Sequence, residues 1–99
     1  MPYRIEYDPT VRDHFGHLST RDRVTVLDTV DRQLLHQPTV PTRNRKLLRA
    51  SAVAPWELRI GHLRVYYEVS DDHEPVVTIR AVGIKVRNRV MIGGVEVEP

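Results

Sequence analysis

Ninety-nine residues, 40% of them hydrophobic, suffice for one compact domain and are too few for two. The absence of cysteine excludes a disulfide framework and a thiolate metal site. No apolar run approaches the ~20 residues of a membrane span, and charges throughout residues 1–20 read as no signal peptide. The expectation is therefore a single domain over residues 1–99, cytoplasmic and away from membranes. The net charge of +2 hides a segregation. Residues 1–38 hold five arginines against six acids. Residues 39–67 hold Arg43, Arg45, Lys46, Arg49, Arg59 and Arg64 against Glu57 alone, and Arg80, Lys85, Arg87 and Arg89 follow with no acid among them. Thirteen of the 15 basic residues are arginine, the better fork for phosphate, so a nucleic acid or an acidic protein is a plausible partner.

In chain order, YRIEY at residues 3–7 alternates apolar and polar, as a half-buried strand does. Asp8-Pro9 predicts a helix start, with Asp8 as N-cap. Val11, Phe15 and Leu18 then give a short helix one apolar face. Ser19 opens STRD, a capping-box-like signal with Asp22 in the place of the usual Glu. A longer helix follows, with Val24, Leu27, Val30 (Val26 beside it) and Leu34 as the expected buried stripe, ended by Pro38. Two helices joined so closely predict an antiparallel hairpin. Residues 38–55 read as an irregular connection carrying the basic run RNRKLLR, with one strand-like turn near Leu47-Leu48.

The remainder reads as β. WELRI (56–60) and LRVYYEV (63–69) are separated only by Gly61-His62, so a two-residue hairpin is predicted. Its register sets Ile60 opposite Leu63, Arg59 opposite Arg64, and Glu57 opposite Tyr66. Trp56, Leu58, Ile60, Leu63, Val65, Tyr67 and Val69 would face inward. VVTIRAVG (76–83) is a third strand, with Val77, Ile79 and Ala81 expected inward and Arg80 on the side of Arg59 and Arg64. GIKVRNRVMIGG (83–94) reads as the exit of that strand.

Two arginines directly opposite on a sheet are destabilising unless their heads are in water or on an anion. Lys85, Arg87 and Arg89 and the loop basics Arg43, Arg45, Lys46 and Arg49 are expected to rim the same face, making it a basic groove. Tyr66, expected outward, could stack or donate a hydrogen bond there. Glu57 is the sole carboxylate near the set. A salt bridge to Arg59 or Arg64 is favoured over a general-base role, because adjacent arginines hold a carboxylate ionised. His14 and His17, three apart on the first helix, lack a convincing third ligand, so no metal and no cofactor is expected.

The strand, helical hairpin and three antiparallel strands, with PWELRIGHLRVYYEV and VVTIRAVGIKVRNRVMIGG, resemble the RelE/ParE superfamily of type II toxin–antitoxin toxins over essentially the whole chain. The resemblance implies an α+β fold, β-α-α-β-β-β, with the helical hairpin on one face of a mainly antiparallel twisted sheet. It also implies a toxin that cleaves mRNA on the ribosome without a metal, inhibiting translation, with a cognate antitoxin as partner. Arg59 matches a basic position on the first hairpin strand, Arg64 the arginine expected on the scissile phosphate, and Lys85 and Arg87 the basic pair after the glycine. The chain departs from the pattern at Glu57, Ile84 and Met91, where relatives often carry lysine, a histidine or lysine, and tyrosine. These departures thin the proton-transfer equipment and leave Glu57, Lys85, His62 and Tyr66 as candidates. The alternatives are a ParE-like gyrase inhibitor and a homologue that only binds its antitoxin.

Overall fold

The computed structural model describes residues 2–49 and 51–98. Strand β1 (Arg4–Tyr7) leads into helices α1 (Val11–Gly16) and α2 (Thr20–Leu34). The chain then forms β2 (Arg45–Leu47), β3 (Trp56–Ile60), β4 (Leu63–Ser70), β5 (Val76–Val86), β6 (Arg89–Ile92) and β7 (Val95–Val97). One sheet runs β2-β3-β4-β5-β6-β7 with every neighbour antiparallel, and β1 lies parallel to β5. The α+β architecture is the one expected, with both helices against one face of a mainly antiparallel sheet. Two parts exceed the expected β-α-α-β-β-β. Within the long connection Arg45–Leu47 pairs with β3. Residues 83–94 do not leave the sheet but fold back as β6, and β7 follows. Their turns need left-handed backbone, adopted by Arg87 (φ 59°), Gly93 (φ 60°) and Gly94 (φ 79°). Among the described residues no helix is long and apolar enough to cross a membrane.

Asp8 does not cap α1 as the sequence suggests; Thr10 occupies that position with no side-chain cap. The Asp8 carboxylate instead accepts from the backbone N–H and hydroxyl of Thr10, shaping the turn before the helix. Ser19 caps α2 as expected, accepting from the Asp22 N–H at 3.1 Å. The buried stripe of α2 is Val26, Val30 and Leu34, spaced four apart, whereas Val24 and Leu27 are 51% and 42% exposed. The helix is therefore rotated from the expected phase, and its packing row follows the i, i+4 positions.

The main core lies between helices and sheet. It joins Val11, Leu18, Val26, Val30 and Leu34 to Trp56, Leu58, Leu63, Val65, Tyr67, Val77, Ile79 and Val82. Trp56 and Tyr67 stack at 6.0 Å, and the Tyr67 hydroxyl donates to the Pro38 carbonyl at 2.6 Å. The hairpin register is the one read from the sequence, with Ile60 opposite Leu63, Arg59 opposite Arg64 and Glu57 opposite Tyr66.

Between β4 and β5 the register shifts: Tyr66 faces Ala81, but Tyr67 faces Ile79. Arg80 is the extra residue of a β-bulge. Val77 and Ile79 point to the helices before it, and Val82 and Ile84 after it. Ala81, expected inward, therefore points to the opposite, outer face, where it joins a second apolar cluster with Ala54, Tyr66 and Ile92.

β5 has two partners on its far edge. β1 ends with Tyr7 opposite Ile79, and antiparallel β6 ends with Ile92 opposite Gly83. Val82 lies in the gap, and its N–H is accepted by Nδ1 of His14 on α1 at 3.3 Å. A side chain thus replaces a missing rung of the ladder. Burial pushes the His14 imidazole below its ordinary value of 6.5, against the pull of Asp13 and Asp8. The fold selects the neutral ring, since a protonated Nδ1 could no longer accept. The stabilisation is complete above the ordinary value and is lost as pH falls below it toward the lowered folded value. The stability gap between wild type and His14→Phe, measured by chemical denaturation, is expected to narrow as pH falls from about 7.5 to about 5; a constant gap would remove His14 from this role.

Candidate functional site

The outer face of the sheet is built from the alternation of its strands. On β3 it carries Glu57 and Arg59, on β4 Arg64 and Tyr66, and on β5 Ala81, Gly83 and Lys85, placed by the register and the bulge. Lys46 of β2 lies opposite Glu57 and shares that face.

Half of this face is not a groove. Between β2 and β3 the described residues are held by the Leu48 N–H on the Pro55 carbonyl at 2.7 Å and by the Ser51 hydroxyl, which accepts from the N–H groups of Val53 and Ala54. Leu48, Val53 and Ala54 from this connection, with Val90, Ile92 and Val97 from β6 and β7, cover Tyr66 and Ala81. Tyr66, expected outward as a stacking or hydrogen-bonding group, is fully buried. Among the described residues its hydroxyl meets no partner with hydrogen-bond geometry, although the Glu57 carboxylate is close enough to act on it. Burial and then the facing Glu57 carboxylate hold its pKa well above the usual phenol range, so it stays protonated and a weak acid near neutrality.

The uncovered half holds the basic set. Arg59 donates from Nε to Oε1 of Glu57 at 2.8 Å, the salt bridge expected from the sequence. Glu57 is only 4% exposed, so its charge counts more here than in water. Arg64, 8% exposed, is different. Its Nη1 donates to the carbonyls of Gly61 at 2.7 Å and Leu63 at 2.8 Å. Among the described residues no carboxylate is within ion-pairing distance of it. A largely buried guanidinium without an anion of its own is costly, and it presents unused donors in a fork suited to phosphate. Gly83 lies opposite Arg64. A Cβ there would stand 2.5 Å from the Met91 carbonyl oxygen and 2.8 Å from Ile92 Cγ1, so only glycine lets β6 approach this closely. Lys85, next on the same face, is exposed, and Arg87 stands exposed in the turn beyond it.

Other basic residues proposed from the sequence are placed elsewhere. Arg45 is buried on the helix side, donating to the carbonyls of Gln33 and Val40, and so satisfies the end of α2. Arg80, expected beside Arg59 and Arg64, pairs with Asp8 at 3.0 Å and Glu68 at 3.7 Å. Thr10 first, and Arg80 with it, holds the Asp8 carboxyl below its usual range. Arg89, opposite Val86, shares the helix-side parity and pairs with Glu96 at 3.7 Å. Arg43 and Arg49 are exposed on either side of β2. Ile84 and Met91 lie opposite one another on the helix side, lining a 210 Å³ cavity with His14 and His17. They face away from Arg64, so in this fold a tyrosine at 91 would not border the basic set.

One arrangement escaped the sequence reading. His62, in the turn between β3 and β4, has Nε2 3.2 Å from Oδ2 of Asp22 on α2. The signal available was that Asp22 is too short for the glutamate role of a capping box and so was free for another partner.

No family profile matches the chain, and no curated protein matches it. Among solved structures it is similar to a chain of the toxin–antitoxin complex RelBE2 from Mycobacterium tuberculosis. The identity is 26% and the TM-score 0.72, over 86% of this chain and 100% of that one.

Because the Tyr66 hydroxyl is buried without a well-formed hydrogen bond among the described residues, Tyr66→Phe is expected to leave stability unchanged or raise it by up to about 1 kcal/mol. Urea denaturation checks this, and a comparable loss would show that the hydroxyl has a partner.

Proposed function

Taking the chain as a RelE-like toxin of the RelE/ParE superfamily, we propose that it is a metal-independent, ribosome-dependent mRNA endonuclease that inhibits translation in the cytoplasm, held in check by a cognate antitoxin. The observation that supports this reading is Arg64, a largely buried guanidinium with no anion paired to it among the described residues, set opposite Arg59 and beside Gly83 and Lys85. In the proposed reaction the ribose 2′-hydroxyl gives up its proton to water as its oxygen attacks the adjacent phosphate in line, and the bond to the leaving 5′-oxygen breaks, leaving a 2′,3′-cyclic phosphate. Negative charge builds on the phosphate oxygens. Arg64 and the terminal nitrogens of Arg59 would meet that charge from fixed positions, which avoids reorganisation during the step. Lys85 is the exposed cation nearest in register that could give a proton to the leaving oxygen. Arg87, Lys46, Arg43 and Arg49 would extend the contact along the RNA backbone as exposed, screened charges.

A specific observation favours a second reading. Glu57 is committed to Arg59 and Tyr66 is buried, so proton-transfer groups on the basic face are few. That suits a ParE-like gyrase inhibitor or a homologue that only binds its antitoxin.

Inducible expression followed by primer extension on a translated message separates these readings. Cuts within the reading frame are expected, and Arg64→Ala should lower cleavage by about a hundredfold or more while the fold is retained. Intact messages with gyrase-dependent DNA breaks would establish the second reading instead.

A further inference from the structure

The two residues of the turn between β3 and β4 and the first residue of β4 direct three consecutive carbonyls toward the basic set. Those of Gly61 and Leu63 accept from Arg64 Nη1 at 2.7 and 2.8 Å. That of His62, between them, accepts from the Lys85 N–H at 2.7 Å. The turn is thus the seat of the Arg64 head and a tie to the backbone of Lys85. Gly61 holds it in left-handed geometry, φ 57°, with open space where a side chain would be, so the turn has little packing of its own. The side-chain hydrogen bond that anchors it to the helical layer is His62 to Asp22. Asp22 is well placed to hold it: it stands in the first turn of α2, where the helix N-terminus favours a carboxylate, and Ser19 fixes its backbone.

We infer that His62, held by Asp22, is a positioning residue for the anion site: it fixes the turn whose carbonyls aim the Arg64 guanidinium. Anchored through Nη1, Arg64 is left with Nε and Nη2 to offer, and among the described residues neither donates to the protein. If the turn swings, the Gly61 carbonyl moves while that of Leu63 stays with β4, and the free edge is re-aimed. An angular error of this kind costs more at a two-point fork than at a point charge. The His62 ring acts through Arg64 and is not itself placed against the substrate. This inference rests on the proposed reading that Arg64 binds a phosphodiester.

The test is the affinity of the purified full chain for a short fluorescent single-stranded RNA carrying 2′-O-methyl groups, which cannot be cleaved. Affinity is read by anisotropy, with folding verified by circular dichroism. His62→Ala is expected to weaken binding about three- to tenfold. Asp22→Ala should do the same from the helix side, because the Ser19 cap uses the Asp22 backbone and survives. His62→Gln, which can still donate to Asp22, should recover most of the affinity. In the Arg64→Ala background, His62→Ala should add nothing, since its effect passes through Arg64. Binding unchanged in folded His62→Ala and Asp22→Ala, with Arg64→Ala weakened, would overturn the positioning role and leave the proposed function standing. Additive losses in the double variant would overturn it too. Wild-type binding by Arg64→Ala would remove the phosphodiester reading and this inference together.

Discussion

The pleat of β5 changes phase at Arg80, and the two faces of the molecule are set by that one inserted residue. Upstream, Val77 and Ile79 close the core under the helices; downstream, Val82 and Ile84 take over that task. A strand of unbroken alternation would send Ala81, Gly83 and Lys85 to the helix side and leave Val82 and Ile84 in water. Burying a lysine and exposing valine and isoleucine would both be unfavourable. The bulge resolves this, and in doing so brings Lys85 onto the face of Arg64. Arg80 itself, left unpaired in the ladder, is pinned outside by Asp8 and Glu68. Asp8 also shapes the turn into α1, so the phase change and the placing of the first helix share one carboxylate.

Charge on the outer face is arranged so that repulsion is met unevenly. Arg59 and Arg64 stand directly opposite each other, a pairing unfavourable in itself. Glu57 neutralises Arg59 at 2.8 Å. Among the described residues Arg64 receives only carbonyl dipoles, which orient it without cancelling its charge. The pair is therefore asymmetric: one arginine is structurally satisfied, and the other is held in place and electrostatically incomplete. An arriving anion would find its partner already aimed, with little side-chain entropy left to lose. The apolar cover over Tyr66 and Ala81 confines this opportunity to the end of the sheet near the β3–β4 turn.

The hairpin of β3 and β4 was legible to the residue, because a two-residue turn and strict alternation leave one register. The helix cap at Ser19 was legible for a similar reason, being a local hydrogen bond between neighbours in sequence. The rotation of α2 was not, because Val24, Leu27 and Val26 offer two apolar rows and only the sheet beneath selects between them. Tyr66 looked solvent-facing because alternation assigns a face without saying what covers it; the cover comes from the loop after β2 and from β6–β7. Ile84 and Met91 stood out by comparison with relatives, yet the register puts both beside α1 and away from Arg64.

By itself the sequence determined the strand–helix–helix–strand order, the paired arginines and the salt bridge of Glu57, since each depends on periodicity or on residues a few positions apart. Tertiary structure alone decided which cations share a surface. Arg45, Arg80 and Arg89 were as basic as Arg59 and Lys85 in the sequence, but a helix end, two carboxylates and a change of face removed them from the set. It also decided that His62 meets Asp22 across forty positions. Contacts of that range follow from packing, where a one-residue change of pleat moves every side chain beyond it to the other side.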